Sequence, residues 1–97
     1  MQRSRFTWDK IKDMVNTGKH KIDFHEASTV FKDPNIIVSF DDEHSIYEDR
    51  FIAIGMSEKT NLLMVCHCYR DGDNVIRIIS ARKATKNEAA IYKGGKS

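Results

Sequence analysis

At 97 residues, 40% of them hydrophobic and 31% charged, the chain has room for one small domain around a single core. A formal net charge of +2 is too small by itself to mark a nucleic-acid binder, and no run is long and apolar enough to cross a bilayer. The start, with Arg3 and Arg5 but no apolar stretch after them, does not read as a secretory signal, so the expected location is cytoplasmic.

Phe6 to Trp8 is predicted as a short strand, and Asp9 as the cap of a helix carrying Ile11, Met14 and Val15 at helical spacing, with Gly18 as its stop. Lys12 and Lys19 bracket that helix. Asp23 with Glu26 three residues later predicts a second helix bearing Ala27, Val30 and Phe31 and ended near Asp33-Pro34. The β-rich run Ile36 to Phe40 follows, then an acidic stretch: residues 33 to 49 hold Asp33, Asp41, Asp42, Glu43, Glu48 and Asp49 and no Lys or Arg. Both flanking segments are basic, and if they meet they form a positive face beside an acidic loop.

Arg50 to Met56 and Leu62 to Tyr69 are predicted as strands. Asp71-Gly72 tolerates the positive φ of a tight hairpin, and a two-residue loop there pairs Cys66 with Arg77, His67 with Ile76 and Cys68 with Val75. The last strand is the run from Val75 to Ala84, after which Thr85 and Glu88 form a capping box for a helix from about Lys86 to Tyr92. The domain is expected to span residues 1–93, with 94–97 as a flexible tail. Gly95-Lys96-Ser97 mimics the end of a phosphate loop but lacks the first glycine and the following helix.

Cys66 and Cys68 lie two apart in a strand, a spacing unsuited to a disulfide, and are expected to be reduced. His67 leaves the opposite sheet face, so the three cannot close on one metal ion, and packing is its expected role. Asp41-Asp42-Glu43-His44 reads as a solvated acidic loop, with a divalent-ion site as the alternative.

The chemistry concentrates in Val75 to Ala84, where Arg77, Ser80, Arg82 and Lys83 stand on and just after an apolar strand. A guanidinium clamps a phosphate with two parallel donors and stabilises the extra charge of five-coordinate phosphorus. By strand alternation Arg77 and Arg82 point to opposite faces, and they serve one site only if the strand ends or bulges around Ser80-Ala81. A bulge there is predicted because the capped helix begins so soon after. Failing that, Arg82, which shares a face with Ser80, is the phosphate group and Arg77 is structural or a partner contact.

Phe6-Thr7-Trp8-Asp9, Lys12, Asn16, Lys19-His20, Phe24, Glu26-Ala27, Phe31, Asp33-Pro34, His44-Ser45, Glu48 with Arg50, Ile54-Gly55, the run Arg77 to Arg82, Glu88 and Tyr92 occur in one register. This series resembles the BrnT family of toxins from bacterial type II toxin-antitoxin systems. The resemblance implies a RelE-like α+β fold, expected here as an antiparallel sheet of four to five strands packed by two N-terminal helices and one C-terminal helix. It also implies ribonuclease activity that halts translation. The implied partner is a cognate ribbon-helix-helix antitoxin, BrnA-like, in a hetero-oligomer that binds its operator DNA through the antitoxin. Lys21 departs from the pattern, standing where glycine is common, and His25 replaces a usual acidic residue.

Cutting RNA without a metal requires a base for the 2′-hydroxyl, a stabiliser of the phosphorane and an acid for the leaving 5′-oxygen. Arg77 and Arg82 are the expected phosphate groups. His20, His44, Glu48 and Tyr92 form the proton-transfer set, which the sequence does not rank. Lys12, Lys19, Arg50, Lys83 and Trp8 are the expected RNA contacts. Trp8 is read either as a stacking platform or as core, and Glu48 with Arg50 either as an active-site ion pair or as a loop clamp. No cofactor or metal is expected. Two rivals stand beside the enzyme: a non-catalytic module within a repressor complex, and a metal-dependent hydrolase built on the acidic loop.

Overall fold

Short apolar runs, many of their residues β-branched or aromatic, become strands and the capped amphipathic stretches become helices. The computed structural model describes residues 5–94, so the expectations for the first four residues and for Gly95-Lys96-Ser97 lie outside the described residues. The strands are β1 (Arg5–Thr7), β2 (Ile37–Phe40), β3 (Phe51–Met56), β4 (Leu62–Arg70) and β5 (Val75–Lys83). The helices are α1 (Lys10–His20), α2 (Phe24–Ser28), which runs on into a 3-10 turn over Thr29–Lys32, and α3 (Lys86–Gly94). The strands form one sheet in the order β1-β5-β4-β3-β2.

That sheet is mixed, which corrects the antiparallel expectation: β1 runs parallel to β5, with Phe6 opposite Ile76. Local turn signals specify hairpins, whereas β1 meets β5 across almost the whole chain, where no turn constrains direction.

The β4–β5 hairpin is also looser than expected. Asp71 (φ 52°) and Gly72 (φ 64°) do take left-handed backbone. The loop nevertheless runs through Asn74, whose N–H donates to the Asp71 carbonyl at 3.2 Å, and Arg70 rather than Cys68 lies opposite Val75. A shift of two residues changes partners but not faces, so Cys68 now faces Arg77 and His67 faces Ile78. Beyond them the register slips: Cys66 lies opposite Ser80, which leaves Ile79 as an extra residue in β5. The bulge falls one residue before the position anticipated, and it inverts the alternation. Arg77, Ser80 and Arg82 therefore stand opposite Cys68, Cys66 and Met64, all on one sheet face.

The other face carries the core, in which Ala53, Leu63, Val65, Ile78 and Ala81 pack against Ile22, Phe24, Ala27 and Val30. Gly55 lets the 3-10 turn approach, since a Cβ there would lie 3.1 Å from Val30 Cβ. His67 is fully buried on this face among the rings of Phe31, Phe51 and Tyr69, and burial pushes its pKa down, a packing role.

Asp9 caps α1 by accepting from the Lys12 N–H at 3.1 Å. The helix passes through Gly18 and ends at Lys21, whose φ of 61° is left-handed and whose N–H returns to Thr17 O. A non-glycine residue in that region costs about 1–2 kcal/mol, which explains why glycine suits the position. Asp23 caps α2 through the Glu26 N–H, but the Glu26 side chain does not complete the box. It is buried and accepts from Ser57 Oγ at 2.7 Å and Asn61 Nδ2 at 2.8 Å, pinning the β3–β4 turn to α2. At α3 the box is complete, with Glu88 N donating to Thr85 Oγ1 and Thr85 N to Glu88 Oε1. This helix packs on β3 and covers one end of the arginine face.

Candidate functional site

The ladders place the charges. Phe51 faces His67, so the next residue outward, Arg50, stands beside Cys68, and Arg77 stands on the other side of Cys68. With neighbouring strands about 4.8 Å apart, this makes a row across three strands at the end of the sheet away from α3. Arg70 follows two residues after Cys68 on the same face. The Cys68 thiol lies beneath them: burial pushes its pKa up, and Glu48, Arg70, Arg77 and Arg50 all act on it.

Glu48 is an acid whose charge acts on that thiol. Its Oε1 accepts from Arg70 Nη1 at 2.7 Å, and its Oε2 lies 3.6 Å from Arg50 Nε, too far for a hydrogen bond. The hydrogen bond from Arg70 holds the Glu48 carboxyl below the usual carboxylate range. Arg50 Nε is buried without any acceptor, and the Arg77 guanidinium has neither a hydrogen bond nor an ion pair among the described residues. Three guanidiniums and one carboxylate around the Cys68 thiol leave an excess of positive charge with donors to spare, an arrangement suited to a phosphate.

The acidic segment supplies the rest. Asp41 N donates to Arg50 O at 2.8 Å, Ser45 Oγ donates to Asp41 O at 2.6 Å, and Arg50 N donates to Ser45 Oγ at 3.0 Å. This closed loop presents His44, whose Nδ1 lies 2.8 Å from Asp41 Oδ2. A carboxylate at Nδ1 orients the imidazole and leaves Nε2 for proton transfer. Glu43, His44, Ile46, Tyr47, Glu48 and Arg50 line a pocket of about 230 Å³. Among the described residues no three His, Cys, Asp or Glu side chains assemble as a metal-binding group.

The other sequence candidates stand elsewhere. Arg82 donates through Nη1 and Nη2 to the two Glu88 oxygens at 2.8 and 2.9 Å, fastening α3 to β5. Tyr92 is buried and donates to Asp33 Oδ2 at 2.7 Å. Asp33 Oδ2 also accepts from Met56 N, at the far end of β3, roughly 20 Å from Arg50 at the strand rise of about 3.3 Å per residue. Trp8 meets the Phe24 ring edge-on at 6.2 Å and packs on the core. Lys83 is exposed at the end of β5. Lys12, Lys19 and His20 line a second groove of about 280 Å³ between α1 and β5, whose β5 wall is Ile79 and Ser80. Ser80 stands opposite Cys66 on the arginine face and so links that groove to the arginine row.

Two residues of the cluster, Arg70 and Tyr47, were not singled out from sequence, and Asp41 was named only as part of the acidic loop. Arg70 was legible in principle, because it has the parity of Cys68 along β4. Tyr47 is 98% exposed beside His44 and Glu48, and with Ile46 it supplies a pocket wall of the kind on which a base stacks.

Because the guanidinium lowers the Glu88 pKa, the Arg82–Glu88 link stabilises the fold fully above the unfolded carboxyl value of about 4.3, and the gain is lost as pH falls through the lowered folded value. The urea midpoint is therefore expected to drop as pH falls below about 4.3. In Glu88→Gln it should start lower and drop less. Equal acid sensitivity in the two proteins would remove this pair from the stability of α3.

The sequence matches the family described as "Ribonuclease toxin, BrnT, of type II toxin-antitoxin system" over residues 8–88. The fold is similar to the crystal structure of the ribonuclease toxin BrnT of Brucella abortus, with a TM-score of 0.64 and 23% identity over 87% of this chain and 100% of that one. The comparison with curated proteins gave no match.

Proposed function

The chain belongs to the BrnT family of ribonuclease toxins of type II toxin-antitoxin systems, and on that premise we propose that it is an endoribonuclease that cuts messenger RNA without a metal ion, halting translation in the cytoplasm. The observation that carries this reading is the row Arg50, Arg70 and Arg77 over Cys68, with Glu48 and the Asp41-oriented His44 beside it. Membership of a type II system implies an antitoxin partner. In this reading the partner is a ribbon-helix-helix, BrnA-like protein that carries the complex to its operator, and the RelE-like kinship of the fold belongs to the same proposal.

The scissile phosphate lies against the guanidiniums of Arg77 and Arg50, and Arg70 remains on Glu48. Glu48, held ionised by Arg70, can only accept a proton, so it is the base that takes one from the 2′-hydroxyl. The 2′-oxygen bonds to phosphorus, the guanidiniums bear the added negative charge, and the bond to the 5′-oxygen breaks as His44 Nε2 delivers a proton to it. The products are a 2′,3′-cyclic phosphate and a 5′-hydroxyl. Tyr47 stacks a flanking base, and Lys12 and Lys19, with His20, attract the strand electrostatically. Arg82 and Tyr92 act through α3, and Trp8 through the core.

The test is cleavage of a single-stranded RNA by purified protein in excess EDTA. Cutting should persist and yield cyclic-phosphate ends, and Glu48→Gln or His44→Asn should each slow it by roughly 10²- to 10⁴-fold. Activity that vanishes in EDTA, with both variants otherwise as active as the parent, would replace this mechanism with metal-assisted hydrolysis.

A further inference from the structure

α1 is amphipathic in an unusual sense: its apolar side chains face solvent. Ile11, Met14 and Val15 are 70%, 73% and 63% exposed, and the helix's one buried residue is the polar Asn16. An isolated domain loses free energy by leaving three large aliphatic groups of one helix in water, and contiguous patches of this kind mark contact surfaces. The strip continues past Gly18, where an added Cβ would meet nothing within 4 Å, and across the groove to Ile79.

Its rim is cationic. Lys10, Lys12, Lys19 and Lys21 are exposed along it. The nearby carboxylates are occupied, with Asp9 capping Lys12 N and Asp13 accepting from Phe24 N at 2.8 Å. Such a surface fits a segment with aliphatic residues on one side and carboxylates on the other. RNA fits it less well, because every exposed apolar group here is aliphatic and offers no ring for a base to stack on, unlike Tyr47 at the pocket.

We propose that the α1 strip and the α1–β5 groove are the docking surface of the antitoxin, which presents an acidic, aliphatic-faced segment to them. The inference rests on the toxin reading above and deepens it. A segment seated there caps Lys12 and Lys19 with its carboxylates and reaches Ser80, next to the arginine row, so it denies RNA both its electrostatic track and its approach to the phosphate site.

The experiment uses the full chain and, as probe, the protein encoded by the adjacent reading frame, co-expressed and purified. Met14→Gln with Val15→Gln removes the apolar groups at exposed positions that contribute nothing to the core and adds no charge beside Lys12 and Lys19, so melting temperature and cleavage rate of the free toxin should match the parent. Affinity for the probe should fall roughly a hundredfold or more and neutralisation should be lost. Lys12→Glu with Lys19→Glu should weaken the complex and flatten its salt dependence. Binding by the double Gln variant equal to the parent overturns the proposal, as does failure of the parent to bind the probe. A tenfold fall in RNA affinity with antitoxin binding unchanged assigns the strip to RNA instead and also overturns it. A parent that binds the probe through α1 but cuts no RNA supports the docking surface and sinks only the nuclease reading.

Discussion

Replacing Arg77 by alanine is expected to lower the rate of RNA cleavage by roughly 10²- to 10³-fold, the usual loss when one preorganised donor to developing negative charge is removed. Folding should be nearly unaffected. The Arg77 guanidinium has neither a hydrogen bond nor a carboxylate partner among the described residues, so its removal strands no group. Arg77→Lys should recover little, because an ammonium keeps the charge but not the paired, planar donors. Single-turnover cleavage of a short oligoribonucleotide beside a thermal melt decides the matter. A rate within threefold of the parent would take Arg77 out of the mechanism. Arg82→Ala should differ in kind, lowering melting temperature and activity together, because it frees Glu88 and loosens α3.

The contrast between the two arginines shows what local pattern carries and what it omits. Both were legible as phosphate-type residues on an apolar strand, and so was the need for a bulge if they were to share a face. The sequence could not rank them, because ranking depends on which guanidinium finds a carboxylate. Glu88 is six residues after Arg82, yet the pairing exists only because the Thr85 capping box turns α3 back over the sheet. Strands, caps and helix starts were readable because each rests on a few neighbouring residues. The hairpin register failed by two positions because Asp71 and Gly72 specify positive φ but not where the ladder resumes. The parallel β1–β5 pairing and the placement of Tyr92 on Asp33, 59 residues away in sequence, are long-range events with no local signature. Within the site, His44, Glu48 and Arg50 were named from the chain, but the Asp41 carboxylate that orients His44 was taken for part of a solvated loop.

Asn16→Leu should be the most damaging single change to the fold. Asparagine is a poor residue for mid-helix, and here it is the buried residue of a helix whose apolar groups point outward. The reason lies in β5. β1 pairs with it only from Val75 to Arg77, so the outer edge farther along has no strand partner. Asn16 takes the missing strand's place: its Nδ2 donates to Ala81 O at 2.9 Å and to Ile22 O at 2.8 Å, and its Oδ1 accepts from Ala81 N at 3.1 Å. Leucine preserves the volume and strands a donor and two acceptors, each buried unpaired group costing about 1–3 kcal/mol. A loss of about 3–5 kcal/mol out of the 5–15 typical of a small domain should lower the melting temperature by roughly 15 °C or more. The same amide positions α1 against β5, and with it Lys12, Lys19 and the groove that reaches Ser80. Near its melting point the variant should therefore lose antitoxin binding and RNA affinity together, and the Ala81 amide should exchange its hydrogen far faster than in the parent. A melting temperature within 3 °C of the parent, with Ala81 still protected, would show that water satisfies this edge and that α1 is held by other contacts.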